Sequence, residues 1–299
     1  YEIVSRDWSS DVCSSDLSAG KPLIFSGAAR NWPCVKKWNL DYFSAGYGDR
    51  DLLLVNAEGL TSRSALPGFE FLPLRKLVES IRHKGEKYLR FSPLIHENPE
   101  LAKDLDLEWL ERMRGGRTFA STYYMFLGGA GQKTLLHNDQ PCNLYVQVCG
   151  EKKWTLFSAK DSTLLYPEVG DTAYVKSSVN LTNPDREKHP LFLKAQPFIA
   201  HLKPGDILYV PPFFWHEVEN LSETIAVGYR FSSFRAAIFS SKSFLAIRAL
   251  SMNPPIWKTH EYGRLDTNLI WAHASGIAEQ VLAERERRKI IRPEIKSDS

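Results

Sequence analysis

Two histidines and an aspartate carry the side chains in this sequence best suited to chemistry: His137 and Asp139 in the run His137-Asn138-Asp139, and His216. On an extended strand, positions 137 and 139 point to one face, so an imidazole and a carboxylate converge. His216 follows Pro211-Pro212-Phe213-Phe214-Trp215, at the start of another apolar run that reads as a strand. Two His and one carboxylate suit a facial non-haem Fe(II) site that leaves three coordination positions open for a bidentate oxoacid and dioxygen. An H-x-D pair alone is weak evidence, because a satisfied polar pair at a loop mouth reads the same way.

The neighbours strengthen the metal reading. Asn143 has the parity of 137 and 139, so a continuous strand would turn it to the same interior. The turn at Gly150-Glu151 opens a new strand at Lys152. An inward ammonium there is costly unless it meets an anion, and the carboxylate of a cosubstrate would supply one. Lys153 beside it shows that one of the two lysines points outward, so a solvent-facing Lys152 is the bland alternative. Downstream, KPGDILYVPPFFWHEVEN places a Pro-Gly-Asp turn before a strand, then a proline pair that cannot extend a ladder, then His216.

Other residues read more plainly. Cys142 and Cys149 lie seven apart on one expected strand and should face opposite sides as small hydrophobes. His189 and His201 have no ligand partner at short spacing. Gly128-Gly129-Ala130-Gly131 lacks the lysine and hydroxyl of a phosphate loop, which favours a β-turn. Trp215 reads as a packing wall that fixes the adjacent imidazole. Ser121, Ser232 and Ser233 lack the context of a nucleophile elbow.

The elements that must position these groups follow from pattern. Residues 117–232 hold short aromatic and β-branched runs separated by turn signals: TFASTYYMFL, NLYVQV, KWTLF, FIAHL, ILYVP and TIAVGYRF. Such spacing predicts a β-sandwich or barrel. Before it, KPLIFSGAARNWP and residues 51–56 predict strands, and Phe71, Leu74, Leu77, Val78 and Ile81 predict a helix over 70–83. A second helix should open at Asn98-Pro99, carry Leu101, Leu105 and Trp109 on one face, and end at Gly115-Gly116. Residues 236–250 and 269–291 predict C-terminal helices, with the charge run Glu284 to Lys289 as a solvated face.

Composition narrows the class. The 299 residues are 43% hydrophobic and 24% charged, which fits a globular chain rather than a disordered or fibrous one. A net charge of +3 does not point to nucleic acid, so no nucleic-acid partner is expected. No apolar run approaches the roughly 20 residues of a membrane helix, so a helical span is excluded and no membrane partner is expected. Four cysteines without close metal-type spacing, and no visible secretory leader, suggest a cytoplasmic protein with free thiols. The stretch DWSSDVCSSDL at 7–17 has almost no apolar content and back-translates to a string resembling a sequencing-library adapter. Residues 1–18 are therefore expected to be an artefact or a disordered arm.

From about Tyr123 to Phe231 the residues resemble the JmjC and cupin-like Fe(II)/2-oxoglutarate oxygenases, above all the cupin-like hydroxylases related to the asparaginyl hydroxylase of hypoxia signalling. The matching features are HND at 137–139, Asn143, the GEKKW turn with Lys152, the PGD turn at 204–206 and PPFFWHEVEN. The segment 70–83 and KPLIFSGAARNWP resemble the family's N-terminal part.

The resemblance implies a mainly β fold with flanking helices, a double-stranded β-helix (the cupin jelly roll) over 19–234, and a helical C-terminal region over 235–299. It implies Fe(II) on His137, Asp139 and His216, and 2-oxoglutarate with its distal carboxylate on Lys152, helped by Thr134 and by Tyr88. Asn143 would look toward the cosubstrate. Gly228 stands where the family often has a polar residue, which leaves the oxoacid's other end unassigned. Arg230-Phe231-Ser232 offers a second cation for an oxoacid carboxylate, as other branches of the superfamily use it; Lys152 is preferred. The implied reaction consumes O2 and 2-oxoglutarate, hydroxylates a C–H bond and releases succinate and CO2. A peptide or protein side chain is the leading substrate class, followed by a small molecule. The competing class is a non-oxygenase metal-binding cupin, an isomerase or a ligand-binding or regulatory module, which would not need Lys152 with Thr134. The apolar C-terminal helices suggest a homodimer.

Overall fold

A computed structural model describes residues 5–7, 20–55, 69–114, 118–168, 175–250 and 278–291. Among these the strands run β1 (Ser5–Asp7), β2 (Leu23–Ser26), β3 (Asp51–Val55), β4 (Phe69–Pro73), β5 (Leu89–Ser92), β6 (Phe119–Gly128), β7 (Lys133–Asn138) and β8 (Cys142–Cys149). They continue as β9 (Lys152–Phe157), β10 (Pro167–Glu168), β11 (Val175–Ser177), β12 (Phe198–Leu202), β13 (Ile207–Val210), β14 (Trp215–Asn220) and β15 (Thr224–Ser232).

Two sheets form the body, ordered β1-β2-β13-β8-β15-β6-β5 and β10-β11-β7-β14-β9-β12. In the first, β8 is hydrogen-bonded between β13 and β15; in the second, β14 lies between β7 and β9, all antiparallel. Each sheet thus interleaves early and late strands, which is the double-stranded β-helix that the family resemblance implies, a specific case of the sandwich or barrel expected from the strand spacing. Tyr124, Phe126 and Tyr145 of one sheet meet Trp154, Leu156 and Val218 of the other in a shared apolar cluster. This interior positions the site.

The outer face of the larger sheet carries a second core. Leu144, Val146 and Val148 of β8 point there together with Phe25, Trp32 and Trp109 from the N-terminal layer. Each fully buried aliphatic or Phe side chain there contributes about 1.5–3 kcal/mol. β8 also corrects a parity expectation. Cys142 and Cys149 were expected on opposite faces, yet both pack against this core. The register passes from Ile225↔Cys149 to Ala226↔Gln147, so one extra residue of β8 bulges out and reverses the alternation.

Two helical expectations are also revised. The helix expected over 70–83 begins only at Leu74 and ends at Arg82; Phe69–Pro73 is strand, paired with β3. Pro73 gives up no ladder or helix donor at that junction. The helix expected from Asn98-Pro99 is split into Pro99–Ala102 and Leu107–Arg114. The restart has a local cause: Asp106 Oδ1 accepts from Trp109 N at 2.9 Å, capping the second segment. The expected stop at Gly115-Gly116 lies outside the described residues.

At the C-terminal side, helices Phe234–Ser240 and Lys242–Leu250 follow β15, the first capped by Ser233. Phe244 is buried against Phe213 and Trp215, whereas Phe234 and Phe239 are exposed. Helix Ala278–Ile291 lies against the paired strands β3 and β4. Arg288 stands 4.8 Å over the Phe71 ring and pairs with Asp51 at 3.7 Å, and Arg285 also lies over Phe71. The run 284–289, read as solvated, is in part a contact, because arginine lays its stem and flat head on an aromatic. Residues 269–277 lie outside the described residues. Of residues 1–18, only Ser5–Asp7 is described, as a parallel strand beside β2. Among the described residues, no helix is long and apolar enough to cross a membrane.

Candidate metal centre

His137 and His216 sit directly opposite each other on β7 and β14, with ring centroids 4.2 Å apart. Each ring is fixed by the carbonyl two residues before it: His137 Nδ1 donates to Leu135 O at 2.7 Å and His216 Nδ1 to Phe214 O at 2.9 Å. A carbonyl only accepts, so the proton belongs on Nδ1 and the Nε2 lone pair is left for a metal. Burial, with His216 adding a smaller push on His137, holds both imidazoles below their ordinary range and hence neutral.

Asp139 lies just past the end of β7, and its backbone O accepts from Phe213 N at 2.8 Å. This bond ties the loop after the first ligand to the loop before the second. Phe213 pays for it with φ of 59°, a left-handed conformation rare for a bulky residue. The break in the ladder expected at Pro211-Pro212 is therefore present, as a bend before His216, and has a use. One ligand atom from each of His137, Asp139 and His216 lies within 4.8 Å of the others. For Asp139, burial pushes the carboxyl upward, but the Arg230 guanidinium opposes it through its charge and its hydrogen bond, and the carboxyl lies below its usual value. Two neutral imidazoles and an ionised carboxylate form a donor set that fits Fe(II).

Lys152 is wholly buried, whereas Lys153 is only half-buried. Its ammonium donates to Asn220 Oδ1 at 2.6 Å and to Tyr88 Oη at 3.0 Å, and sits 5.2 Å above the Tyr88 ring centroid. Burial lowers its pKa, and among the described residues no carboxylate forms an ion pair with it. Burial would raise the Tyr88 phenol, but the charges of Lys152 and Arg90 bring it below its ordinary value, and Thr134 hydrogen-bonds it. A cation so placed, with only a phenol and an amide for partners, fits an anionic ligand.

Thr134 and His137 both line a cavity of about 50 Å³ between the sheets, although an odd spacing should turn them to opposite faces. The register explains this. His216 pairs with His137 but Val218 pairs with Thr134, so β7 carries one extra residue between them. Asn143 lines the same cavity, though not for the expected reason: it stands on β8 in the other sheet, beyond the non-strand residues 139–141. Its Oδ1 is buried without a partner. A Cβ on Gly228 would lie 3.2 Å from that Oδ1 and 3.1 Å from Phe126 Cε2. Asn143 and Phe126 thus fill the place where a larger residue would stand. Arg230 also lines the cavity, and its guanidinium is ion-paired with Asp139 Oδ2.

Several site residues escaped the sequence reading. Trp154 lies beside His216, 5.4 Å between centroids at 27°. Trp215, expected as that wall, points to the opposite face and packs on Phe244, as strand alternation requires of a residue next to an inward ligand. Asn220 closes WHEVEN; its Nδ2 donates to Gly129 O at 3.1 Å, so it pins Lys152 to the glycine turn. Gly128 makes room for this, since a Cβ there would lie 2.4 Å from Asn220 Nδ2 and 2.8 Å from Tyr88 Cδ2. Phe91 forms another wall at φ of 51°. His189 is bonded to Ser178, and His201 is exposed; neither reaches the centre.

The jelly roll with this ligand face matches the Cupin-like domain family over residues 10–237. The chain belongs to that family. It is 39% identical over 230 residues to JmjC domain-containing protein D of Dictyostelium discoideum, covering 70% of this chain and 51% of that protein. It is 30% identical over 231 residues to human HSPB1-associated protein 1, covering 69% of this chain and 46% of that one. To the human bifunctional peptidase and (3S)-lysyl hydroxylase JMJD7 it is 27% identical over 262 residues, covering 75% and 78%. The cupin-like chain spans about half the length of the first two of these relatives.

Proposed function

We propose that this cupin-like protein is an Fe(II)- and 2-oxoglutarate-dependent oxygenase that hydroxylates a C–H bond of a peptide or protein side chain, or of a small molecule, and releases succinate and CO2. The observation that carries the reading is the pairing of two features in one interior: a His137–Asp139–His216 face, and a buried Lys152 lacking an acid partner among the described residues. A metal-binding cupin of another kind needs the first but has no use for the second. The name of the lysyl hydroxylase relative agrees with a side-chain substrate.

The bound iron and oxoacid would supply the oxidising chemistry on O2. The chain's own part is placement. Leu135 and Phe214 carbonyls keep both imidazoles in the ligating tautomer, and Phe213 N holds the Asp139 loop. Lys152, Tyr88 and Thr134 would take the oxoacid's distal carboxylate, exchanging a poorly compensated charge for a charge-assisted pair. Asn143 would face its metal-bound end. Trp154, Tyr145, Phe91 and Phe126 line the interior and exclude water from the reacting centre.

The decisive experiment is anaerobic titration with Fe(II) and 2-oxoglutarate, watching for the weak visible charge-transfer band of the ternary complex, followed by succinate release on admitting O2. A band and succinate support the oxygenase; iron binding with neither assigns the chain to the non-oxygenase cupins. Pairing of two copies through the C-terminal helices, and residence in the cytoplasm, belong to the same proposal. Light scattering of the full chain tests the first, and a monomer at micromolar concentration rejects it.

A further inference from the structure

We propose that Arg230 is a charge-balancing positioning residue: paired with Asp139, it cancels the only negative charge of the ligand face, so that the face holds a divalent cation tightly only together with an oxoacid dianion. The inference rests on the oxygenase reading and adds a property that the ligand set alone does not imply.

The geometry is specific. The Arg230 and Asp139 side chains are only 12% and 21% exposed, and they meet through Nη2 and Oδ2. The guanidinium is fixed from below by the Phe91 ring, 5.2 Å from its carbon. Phe91 holds that position in a left-handed backbone conformation, so the support under Arg230 is costly. From the side, Arg230 is the register partner of Asn143 across β15 and β8. Its Nε is buried with no hydrogen-bond partner, so the guanidinium has a donor beyond the one it gives to Asp139.

The charge count follows. Asp139 is the only acid among the described residues lining the cavity; Arg90 and Arg230 line it too, and Lys152 lies behind Tyr88. Arg90 is spoken for at the far end, donating to Lys133 O and lying over Tyr88. Asp139 is the one acid among the three ligand side chains, and its ion pair with Arg230 leaves that acid without net charge to offer. A bare divalent ion therefore meets ligand lone pairs on a face whose carboxylate charge is already cancelled, with a guanidinium on one of its own ligands. In an interior of low dielectric that repulsion is felt strongly. An oxoacid dianion restores the missing negative charge at both ends of the cavity. Each ligand should then tighten the other by the same factor, as linkage requires.

The test is equilibrium titration of Mn(II) with and without saturating 2-oxoglutarate, for the wild-type chain, Arg230→Gln and Arg230→Lys. Gln keeps a donor for Asp139 and removes the charge; Lys keeps the charge and loses the flat fork. In wild type the oxoacid should tighten Mn(II) by a factor within the usual coupling range of about 5–150. Arg230→Gln should bind bare Mn(II) about tenfold tighter, equivalent to about 1.4 kcal/mol, and lose a matching share of the coupling. Arg230→Lys should behave as wild type. Thermal melts check folding, and Arg230→Met serves as the neutral variant if Gln does not fold. Weaker or unchanged Mn(II) binding in the neutral variants, or coupling equal to wild type, overturns the proposal while leaving the oxygenase reading standing. Failure of the wild-type chain to bind Mn(II) in either condition brings down both.

Discussion

The two ends of the interior cavity solve the same problem, holding a charge out of water, in opposite ways. At the metal end, Asp139 is matched by a guanidinium, and both loops that carry ligands are bent, with Phe213 at φ of 59°. At the other end, Lys152 stands in regular antiparallel strand, paired in register with Asn220 and Leu202, and meets only a phenol and an amide. The first end is electrostatically closed and conformationally costly; the second is conformationally cheap and electrostatically open. The lesson is that an unmatched charge can be stored on a rigid ladder until its ligand arrives, whereas a metal face needs irregular backbone to converge three ligands.

The comparison can be broken most directly at the metal end. His216→Ala should abolish both metal retention and 2-oxoglutarate turnover, since two remaining ligands do not complete the face. Mn(II) titration with saturating 2-oxoglutarate, wild type beside the variant, reads this, and wild-type metal affinity in the variant refutes the ligand assignment.

At the open end, Lys152→Met should act in opposite directions on two readouts. The apparent constant for 2-oxoglutarate should rise about 10- to 100-fold, the equivalent of a charge-assisted pair of roughly 1.5–3 kcal/mol. The ligand-free protein, relieved of a buried ammonium without an acid partner, should melt at the same or a higher temperature. Its pH dependence has a definite sign. Burial holds the Lys152 amine below its ordinary 10.5, so in that window below pH 10.5 the unfolded chain binds more protons. Wild-type stability therefore gains as pH climbs toward 10.5, and the advantage of the Met variant should shrink. If Arg230→Met gives the cosubstrate defect and Lys152→Met does not, the two ends have been assigned the wrong way round.

Asn220→Ala sharpens the same contrast at smaller scale. It leaves the Lys152 ammonium and the Gly129 carbonyl each short of one bond, a cost of about 1–3 kcal/mol. A melting point lowered by a few degrees, with Mn(II) affinity unchanged, is the expected outcome; a loss of metal affinity would show that the two ends are mechanically coupled. The smallest effects separate two glycines. Gly128→Ala intrudes to 2.4 Å on Asn220 Nδ2 and should weaken the cosubstrate, because Asn220 and Tyr88 must move. Gly228→Ala meets its nearest atom only at 3.1 Å, and should cost under about 1 kcal/mol with little change in cosubstrate binding. Equal effects in the two variants would mean that Asn143 matters as much to the oxoacid as the Lys152 cluster does.

The amino-acid sequence by itself determined a good deal. Apolar alternation interrupted by turn residues is a local property, so the strands of the barrel were legible as TFASTYYMFL, NLYVQV, KWTLF and TIAVGYRF. The residue types at 137, 139 and 216, which the fold brings together, were legible as well, because metal chemistry depends on residue type more than on context. Lys152 stood out because a lysine aimed inward has a cost that demands an explanation.

What only the tertiary structure decided is where alternation breaks and who meets whom across sheets. The extra residue in β7 turns Thr134 to the side of His137, and the bulge in β8 puts Cys149 on the face of Cys142. A bulge is set by the partner strand, so period-two reasoning along one strand misses it. Asn220, Trp154 and the Phe91 shelf under Arg230 are likewise pairings between segments distant in the chain. Arg230, which looked like a rival anchor for the oxoacid, is ion-paired with Asp139, the carboxylate proposed for the metal. Side-chain charge is written in the sequence, but the counter-charge it answers to is chosen by packing.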